Sequence, residues 1–385
     1  MKITVVGGGP SGLYLAYLVK RDRPGDRVLV IEQNPPDATF GFGVVMADGG
    51  LQQLRQVDEQ SFERIMRDMY WVDSQRFCHG GDWLWIDKKR PGGAIERIKL
   101  LNTLQSLCIQ QGVELDYEQR LDDSRVLADA DLVVGADGAN STIRRMREAE
   151  FGVNARLLGN RFAWYGVDKV FDSSYLDFRF IPGGALVGHF YPYSSTHSTF
   201  VMECDASTWT ATGMDRMTDD ERREFTQSFF VDRLSGRALI ANKAVWRQFS
   251  VVAVDRWHIG NWVLIGDALR PAHYSIGSGT RLAMEDSIAL YRSIVKFPGN
   301  VPAILDDFVR ERAPIKAKLM SASENSYTWY EKFQSLMREN GLVGLAHNFL
   351  TRTGRITPER LVAEFPRFME RYRRESGQVS DQLNA

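Results

Sequence analysis

Cysteine is scarce in this sequence, and so is any imbalance of charge. The three cysteines, Cys78, Cys108 and Cys204, are far apart and follow no metal-ligand spacing. That argues against a metal site and a disulfide framework. They read as small buried hydrophobes of a chain kept in a reducing, cytoplasmic compartment. Lysine and arginine number 48 against 49 acidic residues, for a formal net charge of −1. Such a chain offers no basic field to nucleic acid. No apolar run approaches the roughly 18 residues of a membrane span. The N-terminus lacks the charged segment, apolar stretch and cleavage site of a secretory leader. Neither nucleic acid nor membrane is expected as a partner. Internal repeats and low-complexity tracts are absent as well.

What is present is the composition of a soluble globular protein. The 385 residues are 44% hydrophobic and 25% charged, enough for a large core in two or three domains. Aromatic content of 11%, including nine Trp, suits an aromatic-lined cavity or plain core packing. Residues 2–6 (KITVV) predict a buried parallel strand, and an apolar-periodic helix follows over 13–20. Between them stands Gly7-Gly8-Gly9-Pro10-Ser11-Gly12. Its Gly7, Gly9 and Gly12 form G-x-G-x-x-G in the strand-to-helix position that dinucleotide binding needs. The next strand, 28–31, ends at Glu32, about 20 residues on, where an acid accepts hydrogen bonds from a ribose. An acid here fits an adenosine ribose without a 2′-phosphate.

Residues 35–50 read as a loop with a short apolar centre, Val44-Val45-Met46. Helical patterns follow over 51–57 and 61–69, then a hairpin over 72–87 about Gly80-Gly81. A helix over 99–111 and strands over 113–117 and 132–134 come next. The last strand runs into Gly135-Ala136-Asp137-Gly138 and a basic helix with Arg144, Arg145 and Arg147 that reads as a solvated face. From 161 to 254 the pattern turns to β, with strands over 163–167, 176–181, 186–191, 198–204 and 244–252. A helix over 218–233 interrupts them, Thr218 and Glu221 supplying a capping box. Residues 262–289 then read as a strand (262–265), the pair Gly266-Asp267, a glycine turn around Gly277-Ser278-Gly279, and a helix. A long helical pattern over 304–339, interrupted near Pro314, a helix over 358–374 and a frayed polar tail over 375–385 complete the chain. The expected fold is α/β, with a Rossmann-like domain over 1–72, 95–158 and 256–300. An inserted antiparallel β-sheet domain takes 73–94 and 159–255, and C-terminal helices take 301–385.

Three separated motifs stand together: Gly7-x-Gly9-x-x-Gly12 with Glu32, Asp137-Gly138 after a strand, and Gly266-Asp267 after a later strand. In order and spacing they resemble the single-component FAD aromatic hydroxylases, the flavoprotein monooxygenases typified by p-hydroxybenzoate hydroxylase. The resemblance spans at least 2–312. Within that family, GFGVVMADGGL, RIKLLNTLQ and GDALRPAHYSIGSGTRLAMEDSIAL are similar to the monooxygenase half of the hydroxylases of salicylyl-CoA and 2-aminobenzoyl-CoA. RFAWYGVDKVFD and HSTFVMEC are similar to the tryptophan-derivative hydroxylase of violacein biosynthesis.

The resemblance implies an enzyme using FAD, NADH or NADPH, and O2 to hydroxylate an electron-rich hydroxy- or amino-aryl through a C4a-hydroperoxyflavin. The substrate is a free aromatic, a CoA or carrier-protein thioester, or a tryptophan derivative. Gly7, Gly9, Pro10, Ser11 and Gly12 are then assigned to the FAD pyrophosphate, Glu32 to the ribose and Arg97 to a further FAD contact. Asp137 and Gly138 match the motif shared by FAD and NAD(P)H. Gly266 and Asp267 fall to the ribityl chain, and Gly277, Ser278, Gly279 and Thr280 to the anionic edge of the flavin ring. His273, with Tyr274 beside it, is the candidate catalytic contact; the other reading of His273 is a structural histidine bonded to backbone. Trp164, His189, Tyr191 and Tyr193 are substrate candidates. The last three share a strand face that is either a substrate ceiling or ordinary core. His197, near a turn, reads as exposed. In two respects the chain departs from relatives: residues 33–46 hold no Arg or Lys to guide flavin movement, and the chain stops short of a second, reductase-like half. No separate domain for the nicotinamide is visible. The same fold also serves FAD-dependent reductases and non-catalytic FAD-binding partners, and the chain is expected to be a monomer or homodimer.

Overall fold

The strand KITVV forms at Lys2–Val6 and lies at the centre of a six-stranded sheet. The computed structural model describes residues 1–39, 41–46, 48–242 and 244–376. Across the sheet the strands run His258–Ile259, Trp262–Leu264, Leu132–Gly135, Lys2–Val6, Arg27–Ile31 and Glu114–Asp116. All neighbours are parallel except the first pair. The central strands are apolar on both faces because helices cover both. Pro10–Asp22, Arg97–Gln111 and Gly279–Lys296 cover one face, and Thr142–Met146 and Gly266–Leu269 the other. Gly12 permits the tightest of these contacts: a Cβ there would stand 2.0 Å from the Gly7 carbonyl oxygen and 3.1 Å from Val5 Cγ1.

The second sheet has nine strands. Leu239–Ile240, Val153–Val167, Ser198–Cys204, Gly184–Pro192, Ser174–Ile181, Met69–His79, Asp82–Glu96 and Gly43–Met46 follow in order, and Arg247–Val254 also pairs with Val153–Val167. The sequence leads to an antiparallel sheet, and one pair departs from it: Met69–His79 runs parallel to Ser174–Ile181. Those strands are joined by a long excursion through the first sheet, so no tight turn dictates their direction. Gly43–Met46, which reads as loop, is an edge strand pairing Val45 with Ala94; four residues after glycines are too few to show a period. One face packs Tyr165, Phe190, Phe200, Met202 and Phe230 into an apolar cluster. Helix Asp219–Ser228 begins with the Thr218–Glu221 capping box, both bonds present.

The long helix runs unbroken over Val301–Tyr330 with Pro314 inside it. The expected interruption falls instead at 331–332. There the Glu331 carboxylate accepts the backbone N–H groups of Gly159 and Asn160, each at 2.8 Å. The expected last helix is split at Pro366, because the residue before a proline is driven out of the helical region. Phe365 there has φ −130° and ψ 58°. The expected frayed tail lies outside the described residues from 377 on, as do Phe40 and Ala47 of the 35–50 loop. Arg144 is not on a solvated face: it is buried and donates to the carbonyls of Ala268 at 2.6 Å and Ala139 at 2.5 Å. All three cysteines are free and buried. No helix among the described residues is long and apolar enough to cross a membrane.

Two helices are tied by buried charge. Asp286, fully buried, accepts the Gly266 N–H at 2.9 Å and Arg312 Nε at 2.7 Å, and pairs with Lys316. Arg312 also reaches Glu285 at 2.9 Å. Removing one cation leaves buried negative charge uncompensated. Lys316→Met is therefore expected to cost about 3–5 kcal/mol, read as a lower urea midpoint at unchanged slope. An unchanged midpoint would show that the cluster contributes nothing.

Candidate active site

Four parallel strands end on the same edge of the first sheet, and the turns leaving them meet in one groove. Its volume is about 470 Å³, within the range of ligand sites. Gly7, Gly9, Pro10 and Ser11 line it where the first helix begins, with unpaired N–H groups and the positive end of the helix dipole facing it. Gly9 has no atom within 4 Å of where a Cβ would sit, so that backbone is open to a close ligand. Glu32, Arg97, Asp137, Gly138, Asp267 and Thr280 also line the groove. One Glu32 oxygen accepts the Gly8 N–H at 2.7 Å and the other accepts Asn34 N–H at 2.9 Å. The second oxygen also accepts Asn34 Nδ2 at 2.6 Å, so the lone pair left free is on the oxygen bonded to Gly8.

The groove holds polar atoms without protein partners. Arg97 Nε and Asp137 Oδ1 are buried and make no hydrogen bond. Asp137 Oδ2, by contrast, accepts the Thr142 N–H at 2.6 Å and caps the following helix. Burial lowers the Arg97 pKa against the pull of Asp267 and Glu32. Asp267 opens into the groove yet is ringed by protein. That enclosure raises its pKa, opposed first by Lys316 and then by Arg97. A ligand offering hydroxyls and a pyrophosphate would satisfy these groups, which is the fit a flavin dinucleotide requires. Gly12 and Gly266 do not line the groove. Gly12 sets the helix on its strand, and Gly266 is held from behind by Asp286. The Ser11 hydroxyl faces away, bonded to Ala283 O and Ser287 Oγ at 3.0 Å each.

Beyond Thr280 the chain turns under the second sheet. Gly277, with φ +58°, ends a short turn over Tyr274–Ile276, and Gly279 starts the next helix after Ser278. His273 begins that turn: its Nδ1 accepts the Ser275 N–H at 3.3 Å and lies 2.8 Å from Ser275 Oγ. This leaves the ring proton on Nε2. The backbone N–H of His273 donates to Ser323 at 3.0 Å. Burial, then His189 and Arg352, lower the His273 pKa to about 3, so the ring is neutral.

Tyr274 points at the face of the second sheet opposite the apolar cluster. Its ring lies 4.4 Å from Phe162, 6.3 Å from Trp164 and 6.5 Å from His189. Alternation and register bring Phe162, Trp164, His189, Tyr191 and Glu203 to that one face. Trp164, His189, Tyr191 and Tyr274 keep accessible surface while protein encloses them, as cavity walls do. Tyr193 does not join them; it follows the strand end and stacks 6.4 Å from the half-exposed ring of His197. Tyr191 donates its hydroxyl to Gly43 O at 3.0 Å. Sequence reasoning missed Glu203, Tyr330 and Arg352. Arg352 donates to Ser275 O at 2.7 Å and Ser326 Oγ at 3.0 Å, bracing the turn from the C-terminal helices. Glu203 had a findable signal, an acid inside the buried run FVMEC, whereas the reach of Arg352 depends on packing alone.

A family model described as an FAD binding domain matches residues 101–323, and one described as an NAD(P)-binding Rossmann-like domain matches 5–41. The chain is 34% identical over 367 residues to a salicyloyl-CoA 5-hydroxylase from a Streptomyces species, covering 92% of this chain and 70% of that protein. It is 33% identical over 364 residues to the 3-hydroxy-4-methyl-anthranilyl-(aryl-carrier protein) 5-monooxygenase of Streptosporangium sibiricum, with coverages of 94% and 97%. Protodeoxyviolaceinate monooxygenase of Chromobacterium violaceum is 30% identical over 346 residues, with coverages of 88% and 91%. Among solved structures, P. aeruginosa PqsL in complex with 2-aminobenzoylacetate shares the fold, with a TM-score of 0.70 at 19% identity over 88% of this chain and 98% of that one. Since two relatives at 30% identity or more are matched over nine-tenths of their length, and the family model spans over half of the chain, the chain belongs to the FAD-dependent aromatic monooxygenases.

Proposed function

We propose that this protein hydroxylates an aromatic ring bearing a hydroxyl or amino group, carried as a CoA or carrier-protein thioester, with NADH or NADPH and O2. The observation that carries the reading is the enclosed face of Trp164, His189 and Tyr274, one short turn before Gly277–Gly279, whose buried polar atoms lack protein partners. A ring with one polar substituent matches such a site, apolar walls with few polar groups. The printed names of two relatives, a CoA thioester hydroxylase and an aryl-carrier-protein monooxygenase, support the thioester.

Bound FAD supplies the activation of O2. The chain's own residues hold it and keep water out. Gly9 and Ser11 offer backbone N–H groups to the pyrophosphate, with Gly7 and Pro10 shaping the approach, while Glu32 offers the spare lone pair of one oxygen to the ribose and Asp267 a carboxylate to the ribityl hydroxyls. Arg97 Nε and Asp137 Oδ1 gain the partners they lack. Gly277, Ser278, Gly279 and Thr280 present the start of a helix to the anionic edge of the ring. Trp164, His189 and Tyr191 roof the substrate from the second sheet. His273, neutral and bonded at Nδ1, sets the orientation of Tyr274. We assign residues 1–72, 95–158 and 256–300 to holding the cofactor and 73–94 and 159–255 to the substrate side. The three buried thiols suit a cytoplasmic protein, working as a monomer or homodimer.

A panel of hydroxy- and amino-aryl acids, their CoA thioesters and indoles tests the reading. Thioester-stimulated NAD(P)H oxidation, matched by O2 uptake and a product mass gain of one oxygen, is expected. Oxidation without oxygen gain would make the protein a reductase, and no stimulation by any compound a non-catalytic partner. Gly12→Val and Asp267→Ala are each expected to purify largely without FAD; recovery of either as fully yellow protein would defeat the cofactor assignments. His273→Ala should lower hydroxylation more than FAD content, and a variant with both at wild-type level removes His273 from the site.

A further inference from the structure

Five buried polar atoms around Tyr274 make no hydrogen bond: Trp164 Nε1, His189 Nε2, Glu203 Oε2, Tyr274 Oη and Tyr330 Oη. Leaving such an atom unsatisfied is costly, and native interiors seldom tolerate several together. Ring contacts tie them into one site: His189 lies 5.4 Å from Tyr330, and Tyr274 lies within 6.5 Å of both His189 and Trp164. Among them the Trp164 indole can only donate, the two phenols and the neutral imidazole can do either, and an ionised Glu203 can only accept.

Glu203 is fully buried on the strand Ser198–Cys204. Its Oε1 accepts Asn160 Nδ2 at 2.8 Å, and Asn160 also donates to the Tyr330 carbonyl at 2.8 Å. Among the described residues no Lys or Arg forms an ion pair with it. Tyr274 stands within hydrogen-bonding range, so that each group shifts the other's titration, though Glu203 Oε2 and Tyr274 Oη form no bond of full geometry. Arg352, the guanidinium that braces the turn, is spent on Ser275 and Ser326. A ligand that completes this site must bring a donor.

We propose that Glu203 is the proton acceptor for the ring hydroxyl of a hydroxy-aryl substrate, with Tyr274 orienting that hydroxyl. The inference rests on the functional reading above and deepens it. The substrate O–H bond breaks, the proton passes to Glu203 Oε2, and the electron pair stays on the ring oxygen, enriching the ring for hydroxylation. The hydroxylated ring carbon then gives up its hydrogen as a proton to water, and as the ring regains its aromatic form Glu203 returns the proton it holds to the ring oxygen. An amino-aryl substrate donates an N–H hydrogen bond to the same oxygen without transfer. Burial raises the Glu203 pKa to about 7, with Glu331 adding to the rise and Asn160 and Tyr274 opposing it. Phe162 and Val187 flank it on neighbouring strands, and Tyr330, the last residue of the long helix, and Glu331 just beyond it are tied to its partner Asn160. A pKa near the working pH is the optimum for a general base.

The test compares FAD-loaded wild type, E203Q and Y274F on salicyloyl-CoA, or on whichever hydroxy-aryl of the panel the wild type hydroxylates. In the wild type, kcat is expected to rise with pH up to about 7 and then level. E203Q should retain FAD and bind the probe, seen as a change in flavin absorbance, but lose on the order of 100-fold in kcat together with the rising limb. Y274F should weaken probe binding and keep the limb. If E203Q hydroxylates at the wild-type rate with the same pH profile, Glu203 is not the acceptor and the function stands. If the wild type hydroxylates nothing in the panel, the functional reading falls and this role with it. Should E203Q not fold, difference spectra of the wild type decide: the bound probe must show phenolate absorbance at a pH where the free probe shows none, and its absence overturns the proposal.

Discussion

The buried charge around Asp286 is what the catalytic half of the molecule hangs on. One carboxylate takes Gly266 N–H, Arg312 and Lys316 at once. It thereby joins the end of a strand, the helix Gly279–Lys296 and the helix Val301–Tyr330. Burying three charges costs several kcal/mol per ion, recovered only when geometry and hydrogen bonds are complete. Here they are complete enough to hold a residue at φ +59° next to the groove. Asp267 follows Gly266 directly, so its carboxylate is aimed by a cluster that never touches the groove itself. The same clamp supports Pro314 inside an unbroken helix, with Arg312 and Lys316 pinned on either side of it.

That helix also carries the geometry across to the second sheet. Its end is fixed by Glu331 on Gly159 and Asn160, and Asn160 in turn holds Glu203. Ser323 and Ser326 from the same helix hold the turn that bears His273 and Tyr274. Cofactor groove and aromatic face are thus two ends of one hydrogen-bonded frame. Arg352 closes the frame from a part of the chain with no recognisable motif. The low pKa of His273 and the high one of Tyr274 both follow first from this enclosure, and both groups are neutral at pH 7. Of the groups on that face, Glu203 alone is poised to change charge near neutrality.

Much of this was legible in the residues. Local rules account for Gly7-x-Gly9-x-x-Gly12 between strand and helix, for Glu32 at a strand end and for the Thr218–Glu221 cap, because each depends on atoms a few residues apart. Alternation brought His189 and Tyr191 to one face correctly. It failed for Tyr193, since Pro192 ends the strand before it. The parallel seam between Met69–His79 and Ser174–Ile181, the strand Gly43–Met46 and the burial of Arg144 were not legible, because partners distant in sequence decide them.

By itself, then, the sequence determined the α/β fold, the use of FAD and the family, all written in glycines and acids at strand ends, where backbone geometry leaves few alternatives. Only the tertiary structure decided which side chains meet over the turn Tyr274–Ile276. Glu203, Tyr330 and Arg352 come from a strand, a long helix and a C-terminal helix that share no local pattern. What unites them is burial: polar atoms left without protein partners acquire their chemistry from whatever else the fold encloses, and that enclosure exists only once the two sheets have closed on the long helix.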